Sequence, residues 1–194
     1  MKYPATPIGR VAYGYLIEPG ENLNKDQEWL CALEISIEDS EPLMALLEEE
    51  IERGYKEHRD WPKDRSKLNI PYKQATKKDE SGERVPNPDA LLWTFKRKVN
   101  LKDGRKNNPP QIISSQAELI RPEDRPDVSS GSTGKVIFTP RAYSWAGQRG
   151  VKFGLIGFQI KELVTKSMIE VAPLEGGWVP EGSMSDLDLS VLAG

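Results

Sequence analysis

A strand-like segment in the second half of the chain combines positive charge with flat rings at two-residue spacing. The residues are Arg141, Tyr143 and Trp145. Because alternate side chains of an extended strand point to the same side, this spacing places all three on one face. Rings stack on bases while cations meet phosphates, so such a face suits a single nucleic-acid strand. A second interpretation stays open at this point, since alternating aromatic residues also build the cores of small barrels.

The same segment is predicted to belong to a strongly curved hairpin. Its first strand alternates the three residues above with Val136, Phe138, Pro140 and Ala142, and residues 146–150 form the turn. The second strand, 151–160, is expected to place one set of residues on a common face: Val151, Phe153, Leu155, Gly157 and Gln159. Glycines inside a strand often mark a bulge or a tight barrel bend, and Gly154 and Gly157 are such glycines.

Positive charge is concentrated in two segments, although the net charge of the chain is -3. Residues 93–111 contain six Lys or Arg residues against one acid, and residues 135–166 also contain six against one. Each contact between such a cation and a phosphate releases counterions and is sensitive to salt. Besides the hairpin face, the candidate DNA-binding residues are therefore five cations of these segments: Lys96, Lys98, Arg105, Arg149 and Lys152.

The elements that must position these residues are mostly strands. Period-2 alternation predicts strands over 9–18, 29–37 and 91–99. On the third strand, Trp93 and Phe95 lie on the face opposite to Lys96 and Lys98, so these two rings are assigned to the core. Leucines at intervals of three and four predict one amphipathic helix, capped by Asp39 or Ser40 and rich in acids that would repel a polyanion.

The rest of the chain is expected to be loop and tail. Residues 59–88 contain four prolines and are predicted to be a long irregular loop, with a short edge segment at 69–75. After Lys166 the chain has no Lys or Arg but contains several acids and glycines. Such a composition is typical of a flexible acidic tail. The predicted domains are therefore a binding domain, 1–166, and a tail, 167–194.

Composition argues against several function classes. Cys31 is the only cysteine and His58 the only histidine. One cysteine cannot supply the ligands of a cysteine-based zinc site, and a single histidine gives little basis for histidine-based catalysis. Asp103 and Glu118 alone do not make a nuclease centre near the basic strands. No apolar run reaches the length of a membrane span. We expect a protein that is not an enzyme, needs no cofactor or metal and does not enter a membrane.

Three stretches of the sequence resemble a family of bacteriophage single-stranded-DNA-binding proteins. They are GRVAYGYLIEPGEN, PDALLWTFKRK and GKVIFTPRAYSWAGQRGVKFGLIGFQI, and the similarity spans roughly residues 9–160. The resemblance implies a mainly β, OB-fold-like five-stranded barrel with one helix and long loops. It also implies sequence-tolerant binding of single strands during phage replication or recombination, and a tail that contacts replication partners. Tails of related phage proteins are often denser in acids and end in an aromatic residue, whereas this one ends SDLDLSVLAG.

Sequence analysis therefore predicts a protein that binds single-stranded DNA in the cytoplasm of an infected bacterial host cell. Replication or recombination proteins of phage or host, met through the acidic tail, are possible partners, and a homo-oligomer is possible. The alternative is a non-enzymatic phage structural or interaction protein with a β-rich core. Such a protein would share the strands but would not need two basic segments with interleaved rings.

Overall fold

The computed structural model describes residues 3–23, 25–101 and 103–165. The acidic tail predicted for 167–194 lies outside these residues. In chain order the elements are β1 (Gly9–Glu21), β2 (Gln27–Ser36), α1 (Glu41–Glu57), β3 (Tyr72–Lys78), β4 (Arg84–Lys98), β5 (Gln111–Ile113), β6 (Thr133–Trp145) and β7 (Gln148–Glu162). Two single-turn 3-10 helices, Arg65–Lys67 and Pro122–Asp124, lie in the connections.

Five of the strands close into a barrel. β1 pairs with β2 and β6, β2 pairs with β4, and β6 pairs with β7, all antiparallel. A short parallel pairing of β4 with β7, at Phe95 and Phe153, completes the ring. The order β1–β2–β4–β7–β6 around the ring is that of an OB-fold, so the predicted five-stranded barrel is confirmed. β3 and β5 are additional strands, attached to β4 and β7.

Aromatic side chains fill the barrel. Trp93, Phe95, Phe138 and Phe153 are all at most 1% exposed, which confirms the first two as core. The ring centroids of Phe138 and Phe153 are 4.6 Å apart, and those of Trp93 and Phe153 are 5.7 Å apart. Such ring pairs add about 0.5–1.5 kcal/mol each beyond the burial of apolar area. Cys31 is fully buried in the same core, and burial raises the pKa of its thiol to about 12.

The face assignment of the β6–β7 hairpin is settled by burial. Val136, Phe138 and Ala142 face the core, whereas Arg141 is exposed and Trp145 is 64% exposed. The core interpretation of the ring-bearing face is therefore wrong.

The second strand of the hairpin changes face part of the way along. Ile137 pairs with Gly157 and Phe138 pairs with Leu155, so Ile156 is an extra residue in β7. This bulge reverses the alternation, and Phe158 and Ile160 face the core after it. The prediction that Gly157 and Gln159 share the face of Val151 is wrong for that reason. The predicted bulge near these glycines is confirmed.

Helix α1 packs its apolar face against the barrel core. Leu43, Leu47 and Ile51 are buried, as the predicted apolar stripe requires. Ser40 is the N-cap residue, but its hydroxyl donates to Ser36 O and accepts from Trp93 Nε1, so it ties the helix to the core instead of capping it. No helix in the described ranges is both long enough and apolar enough to cross a membrane.

The long loop predicted for 59–88 is partly wrong, because β3 and the start of β4 form a hairpin there. Pro86 and Pro88 lie in the part of β4 that pairs with β3 alone, and pairing with β2 begins only at Ala90. Proline lacks a donor and is tolerated where one side of the strand has no partner. The predicted edge segment at 69–75 overlaps β3.

Candidate nucleic-acid interface

The exposed face of the β6–β7 hairpin carries four of the predicted residues. We call this surface the hairpin platform, and its members are Arg141, Tyr143, Trp145 and Lys152. Arg141 pairs with Lys152 across the strands, and Trp145 begins the turn. Lys152 Nζ lies 5.7 Å from the centroid of the Tyr143 ring, a cation–π distance. The four side chains therefore present rings and charges together.

The turn that ends the hairpin platform has an unusual backbone. Ala146 has a φ of 50° and Gly147 has a φ of 79°. Positive φ at both central residues defines a type I′ turn, which matches the right-handed twist of a hairpin and favours Asn-Gly. Alanine at the first position places a Cβ where the left-handed conformation costs about 1–2 kcal/mol.

We expect Ala146→Asn to stabilise the protein by about 0.5–1 kcal/mol, because asparagine tolerates the left-handed conformation better than alanine. Urea denaturation measures the change in the free energy of unfolding. Ala146→Val is the matched control and should destabilise, since a β-branched side chain is worse there. Equal or lower stability of the asparagine variant would contradict this account of the turn.

Two predicted lysines lie on the outer face of β4. Lys96 pairs with Leu30 of β2 on one side and with Gly154 of β7 on the other, two residues after Lys152 of the hairpin platform. Lys96 Nζ is 3.0 Å from Glu28 Oε1, and Lys98 Nζ is 2.8 Å from Asp26 Oδ2. The hydrogen bond from Lys98 lowers the pKa of Asp26.

The other two predicted cations belong neither to β4 nor to the hairpin platform. Arg105 is in the loop after β4 and pairs with Asp103 at 2.6 Å. Arg149 belongs to the hairpin but points to its opposite side, where its Nε donates to Asp60 Oδ2 at 2.9 Å. Four of the predicted cations thus have carboxylate partners. The pairs of Lys98 and Arg105 are exposed and contribute only about 0–1 kcal/mol each, so a phosphate can replace these carboxylates at small cost. Glu28 is only 7% exposed, so loss of its partner Lys96 would leave a buried charge unpaired.

Two exposed tyrosines on β1 were missed by the sequence analysis. Tyr13 and Tyr15 are 46% and 53% exposed, and they pair with Ala32 and Leu30 of β2. Alternation from the buried Val11 places both on its face, but a register shift between Val11 and Tyr13 turns them outward. The two tyrosines were therefore visible in the sequence, but the side of the strand to which they point depends on the bulge.

These tyrosines form a second surface with the lysine of β4. We call it the sheet platform, and its members are Tyr13, Tyr15 and Lys96, with the buried Leu30 and Ala32 of β2 between them. A cleft of about 300 Å³ lies between Tyr15, Leu30, Lys96 and the β1–β2 loop. A Cβ added at Gly20 would lie 2.7 Å from the Tyr15 ring, so glycine allows that ring to lie against the backbone. The ring is held in place while about half of it stays open to solvent.

The two platforms occupy the surface that OB-folds use for oligonucleotides. That surface is made by the second and third barrel strands, the loop between the first two strands and the loop between the last two. In this chain those elements are β2, β4, the β1–β2 loop and the β6–β7 turn. The sheet platform lies on β1, β2 and β4, and the hairpin platform ends at the β6–β7 turn.

Comparison with known proteins supports the same architecture. No protein-family model and no curated protein matches this sequence. The crystal structure of gp2.5, a single-stranded DNA binding protein encoded by bacteriophage T7, matches with a TM-score of 0.60 and 19% identity. The match covers 90% of this chain and 99% of that chain.

A second phage protein has the same fold. The single-stranded DNA-binding protein from bacteriophage Enc34, in complex with ssDNA, matches with a TM-score of 0.55 and 13% identity over 81% of this chain and 85% of that chain. Without DNA it matches with a TM-score of 0.57 and 12% identity over 86% of each chain. At these identities the likeness establishes the fold. This chain has the barrel fold of these phage single-stranded-DNA-binding proteins.

Proposed function

We propose that this chain is a non-enzymatic protein that binds single-stranded DNA with little sequence preference. The observation that carries the proposal is the combination of exposed rings with cations on the OB-fold surface: Tyr15 and Lys96 line one cleft, and Lys152 lies over the Tyr143 ring. The phage proteins of the same fold support it, because both are described as single-stranded-DNA-binding and one of them holds ssDNA.

In this proposal the strand runs from the sheet platform to the hairpin platform. Bases stack on Tyr13, Tyr15, Tyr143 and Trp145, with about 1–3 kcal/mol per stacked base. Phosphates contact Lys96, Lys98, Arg141 and Lys152. Lys98 exchanges Asp26 for a phosphate oxygen, whereas Lys96, which has three N–H donors, contacts phosphate while it stays paired with Glu28. Arg105 extends this path beyond the end of β4, and Arg149 supports the hairpin from its other side.

The same arrangement selects against duplex DNA. A base can stack on a side-chain ring only when its own face is free, and in a duplex both faces are covered by neighbouring base pairs. Every base has such a face, so stacking does not distinguish one base from another. We therefore propose discrimination between single and double strands without discrimination between sequences.

We place this activity in phage DNA replication or recombination inside an infected bacterial cell. Contact with replication or recombination proteins through the acidic tail stays a prediction, because the tail is outside the described residues. A homo-oligomer also stays a prediction.

Fluorescence anisotropy of labelled oligonucleotides tests the proposed function. We expect a mixed-sequence single strand to bind far more tightly than its duplex, with a logarithm of affinity that falls linearly with the logarithm of salt concentration. Lys96→Gln should reduce the steepness of that line by about 0.7, the value for one phosphate contact to a single strand. Lys56→Gln, an exposed lysine on α1, is the matched control and should leave it unchanged. Equal affinity for duplex, or affinity independent of salt, would refute the proposal.

A further inference from the structure

A carboxylate on the far side of the hairpin platform joins both hairpin strands to the segment after α1. Asp60 Oδ2 accepts from the Ser144 hydroxyl and from Arg149 Nε. Ser144 of β6 and Arg149 of β7 are cross-strand partners, directly next to the residues that flank the turn. Arg149 Nη1 also donates to Gly147 O at 3.0 Å, which extends the connection into the turn.

Further hydrogen bonds attach the hairpin backbone to the same segment. Trp61 Nε1 donates to Tyr143 O at 3.2 Å. Asn69 N donates to Arg149 O at 2.8 Å, and Val151 N donates to Asn69 O at 2.9 Å. The indole of Trp61 is itself fixed, because it packs edge-on against Tyr55 of α1 at 5.3 Å and is only 7% exposed.

The base of this part of the hairpin is held by α1, because the buried Ala142 donates its N–H to Glu50 Oε2 at 3.1 Å. Strand pairing supports the rest of it little. β6 pairs with β1 only at Gly134 and Thr133, and β7 pairs with β4 only at Phe153 and Gly154. Residues 143–149 therefore extend past the strands that pair with the hairpin. A two-stranded hairpin without further packing is marginally stable in water, so contacts from behind decide how well the rings are held.

We propose that Asp60 is a positioning residue for DNA binding, which holds the hairpin platform in its binding conformation through Ser144 and Arg149. This inference rests on the proposed function. A loop that is already ordered loses less conformational entropy when DNA binds, which is how preorganisation raises affinity. The low pKa of Asp60, caused first by the hydrogen bond from Ser144 and also by Arg149, keeps the carboxylate charged at neutral pH.

Positioning by Asp60 and simple charge repulsion predict opposite changes in DNA affinity when Asp60 is removed. A negative charge near a DNA site repels phosphate, so removing it would tighten binding if charge were its main effect. If Asp60 positions the hairpin platform, its removal weakens binding. We expect Asp60→Ala to weaken single-strand affinity about three- to tenfold, a range set by the modest cost of ordering a short loop. Glu49→Ala, an exposed acid of α1, is the matched control and should leave affinity unchanged or slightly higher.

Arg149 distinguishes positioning from direct phosphate contact. As a positioning residue, Arg149→Ala should weaken affinity as Asp60→Ala does, with an unchanged salt slope, and the double variant should add little. A direct phosphate contact would instead reduce the slope by about 0.7. That reduction, with additive effects of the two substitutions, would overturn the proposal.

Amide hydrogen exchange gives a readout that does not need DNA. In Asp60→Ala the amides of 146–149 should exchange faster than in the wild type. The exchange of the Phe95 and Phe153 amides in the barrel should change little, and so should the melting temperature. If the wild type fails to bind single strands but these amides still respond, the proposed function fails and the positioning of the hairpin stands. Unchanged exchange at the turn, or unchanged or tighter DNA binding with faster exchange, would overturn the role of Asp60 in binding.

Discussion

Trp145→Ala is expected to weaken single-strand binding by about one to two orders of magnitude without destabilising the protein. The indole is 64% exposed at the end of the hairpin platform, so its removal leaves no cavity in the core. Loss of one stacked base costs about 1–3 kcal/mol, and 1.4 kcal/mol corresponds to a factor of ten. Titration calorimetry measures the affinity, and thermal unfolding monitors the fold.

Tyr15→Ala extends the same prediction to the sheet platform, where we expect a loss of similar size. Trp145→Phe and Tyr15→Phe are the controls, because each keeps a ring and should retain most of the affinity. If Trp145→Ala bound like the wild type while Tyr15→Ala lost affinity, the strand would follow the β1–β2 side of the barrel alone. Full retention of affinity in both alanine variants would exclude the proposed stacking.

Trp93→Ala is expected to have the largest effect on stability, a loss of about 3–5 kcal/mol in the free energy of unfolding. Its side chain is completely buried and stacks on Phe153 with an interplanar angle of 4°. Its Nε1 also donates to Ser40 Oγ at 3.0 Å, so truncation breaks the connection between the core and the start of α1. Domains of this kind have about 5–15 kcal/mol of total stability, so the loss brings the protein close to unfolding.

Urea denaturation followed by far-UV circular dichroism measures this loss. Trp93→Phe serves as the control, since it keeps most of the apolar volume and should cost markedly less. A change below about 1 kcal/mol for the alanine variant would mean that the core rearranges to fill the cavity, contrary to the close packing described for the barrel.

Local pattern determined much of this protein. Two-residue alternation separated Phe138 from Arg141 and Tyr143, and it separated Trp93 and Phe95 from the lysines beside them. The leucine spacing located α1. These predictions succeed because the direction of a side chain along a regular strand or helix depends only on its neighbours in sequence.

Alternation failed wherever a strand contains an extra residue. The register shift after Val11 turned Tyr13 and Tyr15 outward, and the extra Ile156 moved Phe158 and Ile160 into the core. A bulge is set by the pairing of one strand with another, so a count along a single strand cannot include it. The sheet platform was missed for this reason.

Only the tertiary structure decided which charges meet. Lys98 and Asp26 are 72 residues apart in sequence and Arg149 and Asp60 are 89 apart, yet each pair is within 3 Å in the fold. Sequence analysis grouped Arg149 with the phosphate contacts because it lies among basic residues. Its partner comes from the segment after α1, and contacts between elements so distant in sequence depend on the closure of the whole barrel. The basic character of β4 and of the β6–β7 hairpin was therefore readable in the sequence, whereas the acids that pair with them were decided by the fold.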